Sequence, residues 1–130
     1  MKIPKSQITA FVKNALAEDI GSGDITTDSI VSEKTQAYGA IVLEEDAVIA
    51  GIEIAEEVFR QLDRSVKFSA VYKDGTKALK GKVIAKITGK ARALLTGERT
   101  ALNILQRLSG IATLTNSFVR AVKGTDAKIV

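Results

Sequence analysis

The run Thr96-Gly97-Glu98-Arg99-Thr100-Ala101-Leu102-Asn103-Ile104-Leu105-Gln106-Arg107-Leu108-Ser109-Gly110-Ile111-Ala112 holds the side chains best suited to chemistry in this chain. It reads as a loop turning into a long helix at Gly97, with Thr96 as N-cap and Arg99 in the first turn. A helix N-terminus carries partial positive charge and unsatisfied N–H donors, so a cation there costs about 0.3–1 kcal/mol. An arginine set against that field points to an anionic partner, because its planar fork binds carboxylate or phosphate through two parallel hydrogen bonds. The helical wheel sets Arg99, Thr100, Asn103 and Arg107 near one stripe, with Gly110 further along it. The alternative is a solvated helix face with Arg99 paired to a nearby acid. The residues alone leave both readings open.

Two other stretches could carry chemistry. Glu18-Asp19-Ile20-Gly21-Ser22-Gly23-Asp24 spaces carboxylates around glycines, as divalent-cation loops do, but lacks the EF-hand pattern. A helix C-cap followed by a turn, with Asp24 capping locally, is the reading favoured for it. Asp74-Gly75-Thr76-Lys77 puts a lysine near a tight turn, where a biotin or lipoyl carrier would hold its prosthetic group. Lys77 is, however, one of six lysines from Lys67 to Lys86, which fits a solvated hairpin.

Composition narrows the chemistry. The 130 residues suit one modest core, at 45% hydrophobic and 26% charged. Cysteine and histidine are both missing, which removes disulfides, thiolate nucleophiles and histidine-based metal sites or triads. Any chemistry must use carboxylates, lysine, arginine, hydroxyls or backbone amides. The net charge of +4 is unevenly spread, with a balance of −7 over residues 1–59 and +8 over residues 60–99. A basic half suits an anionic ligand, nucleic acid or an acidic surface on a second copy. Two Tyr, four Phe and no Trp leave little for base stacking, which argues against nucleic acid. No apolar run reaches the ~18–20 residues that span a bilayer, and no signal peptide opens the chain, so no membrane partner is expected and the location expected is cytoplasmic.

Periodicity supplies the elements that must position these groups. Ile8, Phe11, Val12, Ala15 and Leu16 recur at helical spacing and predict a first helix ending near Glu18-Asp19. Gly21 to Asp24 reads as a loop, and Thr26-Thr27 as the start of an extended segment. Residues 37–50 read as two short strands around Glu44-Glu45-Asp46, and Gly51 opens a second helix with Ile52, Ala55, Val58, Phe59 and Leu62 on its apolar face. Val66, Phe68, Ala70 and Tyr72 alternate as a half-buried strand, Asp74-Gly75 marks a tight turn, and Val83 to Ile87 form another strand. Gly89-Lys90 is expected to turn into a last strand reaching about Leu95, before a helix from Gly97 to about Val122. Ala101, Ile104, Leu105, Leu108, Ile111 and Ala112 line that helix, with Leu102 on the opposite side. Lys128-Ile129-Val130 reads as the opening of a strand that the chain does not complete, as in a fragment of a longer protein.

Gly97-Glu98-Arg99-Thr100-Ala101-Leu102-Asn103 resembles the quinolinate phosphoribosyltransferase family, also called nicotinate-nucleotide pyrophosphorylase (carboxylating). Four further features are similar and fall in the same order: the segment from Glu18 to Thr27, the Ala50-Gly51 step, Gly89-Lys90-Ala91-Arg92, and Leu105 to Thr113. The resemblance covers nearly the whole chain.

It implies an α+β fold, a small antiparallel sheet akin to barrel-sandwich hybrids with flanking helices, and a long C-terminal helix leading into a truncated α/β barrel. The implied domains are 1–108, a substrate-capping unit, and 109–130, the start of the barrel. The implied reaction joins quinolinate to phosphoribosyl pyrophosphate, releasing CO₂ and pyrophosphate and giving nicotinate mononucleotide for NAD synthesis, with Mg²⁺ held by the barrel. Arg99 is the implied substrate-binding residue, reaching the active site of a partner subunit in a homodimer or higher homo-oligomer and binding a substrate carboxylate. No catalytic or metal-binding residue is expected within the 130 residues, and the chain alone is expected to be inactive, with Ile111, Phe118 and Val119 exposed where a barrel would pack. The molybdenum-transport-associated paralogue of this family shares these motifs, and a non-catalytic carboxylate-binding module is the reading from a different class.

Overall fold

The computed structural model describes residues 3–20 and 31–124. The readings that fall on Gly21 to Asp24, Thr26-Thr27 and Lys128 to Val130 lie outside the described residues. The chain runs α1 (Lys5–Ile20), β1 (Gln36–Val42), β2 (Ala47–Val48), α2 (Ile52–Leu62), β3 (Lys67–Ala70), β4 (Lys77–Ala78), β5 (Val83–Lys90) and α3 (Ala91–Ala121). Strands β1, β5 and β3 form an antiparallel sheet in that order, and β2 pairs antiparallel with β4 in a separate two-stranded ribbon. The expected α+β class, small antiparallel sheet and long C-terminal helix are therefore all present.

The helices cover one face of the sheet. Val12 and Leu16 of α1, Ala55, Val58 and Phe59 of α2, and Ala101, Ile104 and Leu105 of α3 meet Ile84 and Ile87 of β5 in one core. Phe59 stacks on Phe68 of β3 with ring centroids 6.2 Å apart. The other face is open, with Gln36, Tyr38 and Ala40 of β1 exposed beside Lys86, Thr88 and Lys90 of β5. Simple alternation in β5 fails at Ile84-Ala85, which are both buried. A register shift against β1 at Ile41-Val42 explains this, since a bulge resets which side of the strand faces the core.

Three expectations are corrected. No strand separates β5 from the long helix, because β5 runs to Lys90 and α3 starts at Ala91. Ala91, Ala93, Leu94 and Leu95 are good helix formers, and a stretch of five residues is too short for its period to separate strand from helix. Thr96 is consequently not an N-cap; Lys90 occupies that position. The turn at Asp74-Gly75 forms, with Thr76 N–H donating to Lys73 C=O at 3.2 Å, but it does not make a hairpin. Strand β3 pairs with β5 while β4 pairs with β2, so Lys77 stands on a ribbon strand opposite Val48.

Candidate functional site

Helix α3 carries the candidate site, and its early start changes the setting of Arg99. Arg99 is the ninth residue of the helix rather than part of its first turn. The N-terminal field falls off within the first turn, so it neither opposes this guanidinium nor explains it. What marks the residue is its freedom. Arg99 is exposed, and among the described residues no ion pair or hydrogen bond occupies it.

The turn around it is firmly held. Gly97 is buried, and a Cβ there would meet Leu62 Cδ1 at 2.9 Å and Phe59 Cδ1 at 3.0 Å. The residue that reads as the start of the helix instead lies inside it, packed directly against α2. One residue beyond Arg99, Thr100 is 2% exposed and donates its hydroxyl hydrogen to Asp19 Oδ2 at 2.6 Å. That bond ties α3 to the last turn of α1. Two of the segments that carry the family resemblance thus meet here.

Thr100, Asn103 and Arg107 do share a stripe, and it borders a cleft of about 850 Å³ between α1 and α3. Asn14, Glu18 and Asp19 form the opposite wall, while Arg99 is not among the lining residues. A smaller recess of about 340 Å³ lies between β1 and the first half of α3, apolar apart from Tyr38 and Glu98. Leu102 lines this recess, so it is half-buried on the side of α3 facing β1.

Further along α3, Ser109 and Thr113 act on the backbone that leads into α2. Ala50 N–H donates to Ser109 Oγ at 3.0 Å, and the Ser109 hydroxyl donates back to Ala50 C=O at 3.2 Å. Val48 N–H donates to Thr113 Oγ1 at 2.9 Å, and the Thr113 hydroxyl donates to Ser109 C=O at 2.6 Å. Sequence reading did not single out these two hydroxyls. Their signal was a pair of small polar residues, four apart, on an otherwise apolar stripe. Past Thr113, Leu114, Phe118 and Val119 are exposed, as is Ile111 one turn earlier.

Residues 24–109 match the family model described as quinolinate phosphoribosyl transferase, N-terminal domain. The chain belongs to the quinolinate phosphoribosyltransferase family. A probable nicotinate-nucleotide pyrophosphorylase (carboxylating) of Bacillus subtilis is 42% identical over 123 residues, covering 95% of this chain and 42% of that protein. The corresponding protein of Methanocaldococcus jannaschii is 37% identical over 125 residues, covering 96% of this chain and 43% of its own. The crystal structure of NadC from Streptococcus pyogenes superposes with a TM-score of 0.90 at 38% identity, over 97% of this chain and 45% of that one. The nicotinate-nucleotide pyrophosphorylase of Francisella tularensis gives 0.88 at 36% identity, over 95% and 44%. The chain therefore spans less than half the length of these relatives. Among its described residues no helix is long and apolar enough to cross a membrane.

Proposed function

We propose that this chain forms the N-terminal part of an enzyme that transfers phosphoribosyl from phosphoribosyl pyrophosphate to quinolinate with decarboxylation, yielding nicotinate mononucleotide. The observation that carries the reading is Arg99, an exposed guanidinium without a partner among the described residues, standing on a helix locked at Gly97 and Thr100 within a chain of this family. Its task is to bind a carboxylate of the pyridine dicarboxylate substrate. A bidentate guanidinium–carboxylate pair fixes both the position and the plane of that group. The packing at Gly97 and Thr100 fixes the backbone that carries Arg99, so pairing orders only its exposed side chain, at about 0.5–1.5 kcal/mol.

Arg99 acts in this reading on the active site of a partner subunit, in a homodimer or higher homo-oligomer. Support comes from the outward exposure of Arg99 and from the opposed charge of residues 1–59 and 60–99, which suits packing between copies. Neither nucleic acid nor a membrane is a partner, and the location is cytoplasmic.

Mg²⁺ is expected for the reaction. Among the described residues no group of three or more His, Cys, Asp or Glu side chains gathers to hold a metal ion, so these residues do not fit it. Phosphoribosyl pyrophosphate and the metal are assigned to the part of the enzyme that the relatives carry beyond the matched region.

Product analysis tests the reading. Full-length enzyme containing this chain, given quinolinate and phosphoribosyl pyrophosphate, is expected to release CO₂ and nicotinate mononucleotide, whereas the 130-residue chain alone is expected to show no turnover. Steady product formation by the 130-residue chain would overturn the assignment of the chemistry to another part of the enzyme.

A further inference from the structure

Glu98 stands beside Arg99 with no counter-charge among the described residues. It lines the recess between β1 and the first half of α3, and among the described residues that do so it alone is charged. Side chains three and four positions apart are neighbours on a helix surface, and for Glu98 these are Leu94, Leu95, Ala101 and Leu102, none of which can pair with it. No ion pair or hydrogen bond to a described residue occupies its carboxylate. The walls around it are apolar, with Gly39 and Ile41 on the β1 side and Leu95 and Leu102 on the α3 side. Leu95 is 50% exposed, so an apolar surface lies open one turn before Arg99.

Apolar walls around a single carboxylate are complementary to a side chain with an aliphatic stem and a cationic head, the chemistry of lysine and arginine. A metal ion would need more oxygen ligands than one carboxylate offers. We propose that this recess receives a lysine or arginine of the partner subunit, its stem against Leu95 and Leu102 and its head paired with Glu98. The inference rests on Arg99 serving the partner's active site. Glu98 and Arg99 are consecutive, so their Cα atoms lie about 3.8 Å apart and their side chains diverge by about 100° around the helix. A partner held at Glu98 is thus held at the residue next to the guanidinium it needs, on a turn fixed by Gly97 and Thr100. A second copy has cations to offer, since residues 60–99 alone carry a balance of +8.

The test is subunit exchange between differently tagged copies of the full-length enzyme, followed by native mass spectrometry after mixing at low and at high salt. Glu98→Gln keeps the side-chain shape and removes the charge, and Glu98 is exposed, so the fold is expected to survive it. Exchange is expected to speed up roughly 10- to 100-fold, as loss of a charge-assisted hydrogen bond would give. Added salt is expected to speed exchange of the parent and to change that of Glu98→Gln far less. Leu95→Ala, which trims a wall, is expected to speed exchange while keeping the parent's response to salt. A Glu98→Gln enzyme that exchanges as the parent does, or that keeps the parent's salt response, would overturn the inference. A monomeric parent would overturn it too, as would a lowered thermal midpoint with normal exchange, which would place the cation within the same chain. Arg99→Ala is run beside them on kcat/KM for quinolinate; if that value is intact, the assignment of Arg99 fails, separately from the exchange result at Glu98.

Discussion

Asp74 caps helix α2 from the far side of the two-stranded ribbon. Its Oδ2 accepts Gly51 N–H at 3.1 Å and its Oδ1 accepts Ile52 N–H at 3.0 Å, so one carboxylate binds two of the orphan donors at that helix start. Gly51 makes this possible, since it sits at φ +98° with Leu108 Cδ1 only 2.9 Å from where a Cβ would be. Asp74→Ala is expected to cost about 1–2 kcal/mol, the upper range for a lost cap, because the charge favours the positive helix end as well. Chemical denaturation checks this, and an unchanged midpoint would show that water replaces the carboxylate fully.

Asp74 also illustrates what was legible in the sequence. The turn at Asp74-Gly75 was readable from residue type, and it forms. Its purpose was not, because the partner backbone lies more than twenty residues away and nothing local announces it. The same division holds elsewhere. The apolar faces of α1 and α2 follow their spacing, as Val12, Leu16, Ala55, Val58 and Phe59 are all buried. The spacing places the entry to α3 at Gly97, whereas the glycine is there because the helix packs closely against Phe59. With that boundary the electrostatic argument for Arg99 fell. Its exposure and lack of a partner, visible only in three dimensions, now support the site.

The Ser109 clamp should be costly to remove. Ser109 is 9% exposed, and Ser109→Ala leaves Ala50 N–H and C=O without their partner. An orphaned buried backbone group costs about 1–3 kcal/mol, and Ala50 is half-buried, so a fall in thermal midpoint at the lower end of that range is expected. Faster hydrogen exchange confined to Val48–Ile52 would tie the loss to this segment; uniform loosening would not.

At Gly97 two effects oppose each other. Alanine gains about 1 kcal/mol of helix propensity over glycine. Its Cβ, however, would meet the Phe59 ring at 3.0 Å, and overpacking of this kind costs about 1–3 kcal/mol. The ring is pinned against Phe68, so Gly97→Ala is expected to be destabilising on balance. A raised thermal midpoint would mean that α2 and α3 can separate freely.

Asp63 sets one acid-sensitive contact. The Ser65 hydroxyl, followed by Ser65 N–H, holds its carboxyl below the ordinary aspartate range, with a smaller pull from the Lys90 ammonium; desolvation opposes them. The folded state thus lowers this pKa, so its stabilising contribution is full above the unfolded value of ~3.9 and disappears as pH falls through the folded value. Asp63→Asn is expected to flatten the stability profile below about pH 4 and to change its slope little near neutrality. Parallel profiles for both proteins throughout the acid range would contradict this.

The central claim is that Arg99 binds a carboxylate of quinolinate and does not hold the fold together. Steady-state kinetics of full-length Arg99→Ala, with each substrate varied in turn, tests it most directly. Loss of a charge-assisted hydrogen bond is worth about 1.5–3 kcal/mol, so kcat/KM for quinolinate is expected to fall roughly 10- to 100-fold. The KM for phosphoribosyl pyrophosphate and the thermal midpoint should both stay near their parent values. An unchanged quinolinate KM and kcat, or a loss that affects both substrates equally and lowers the thermal midpoint, would contradict the account.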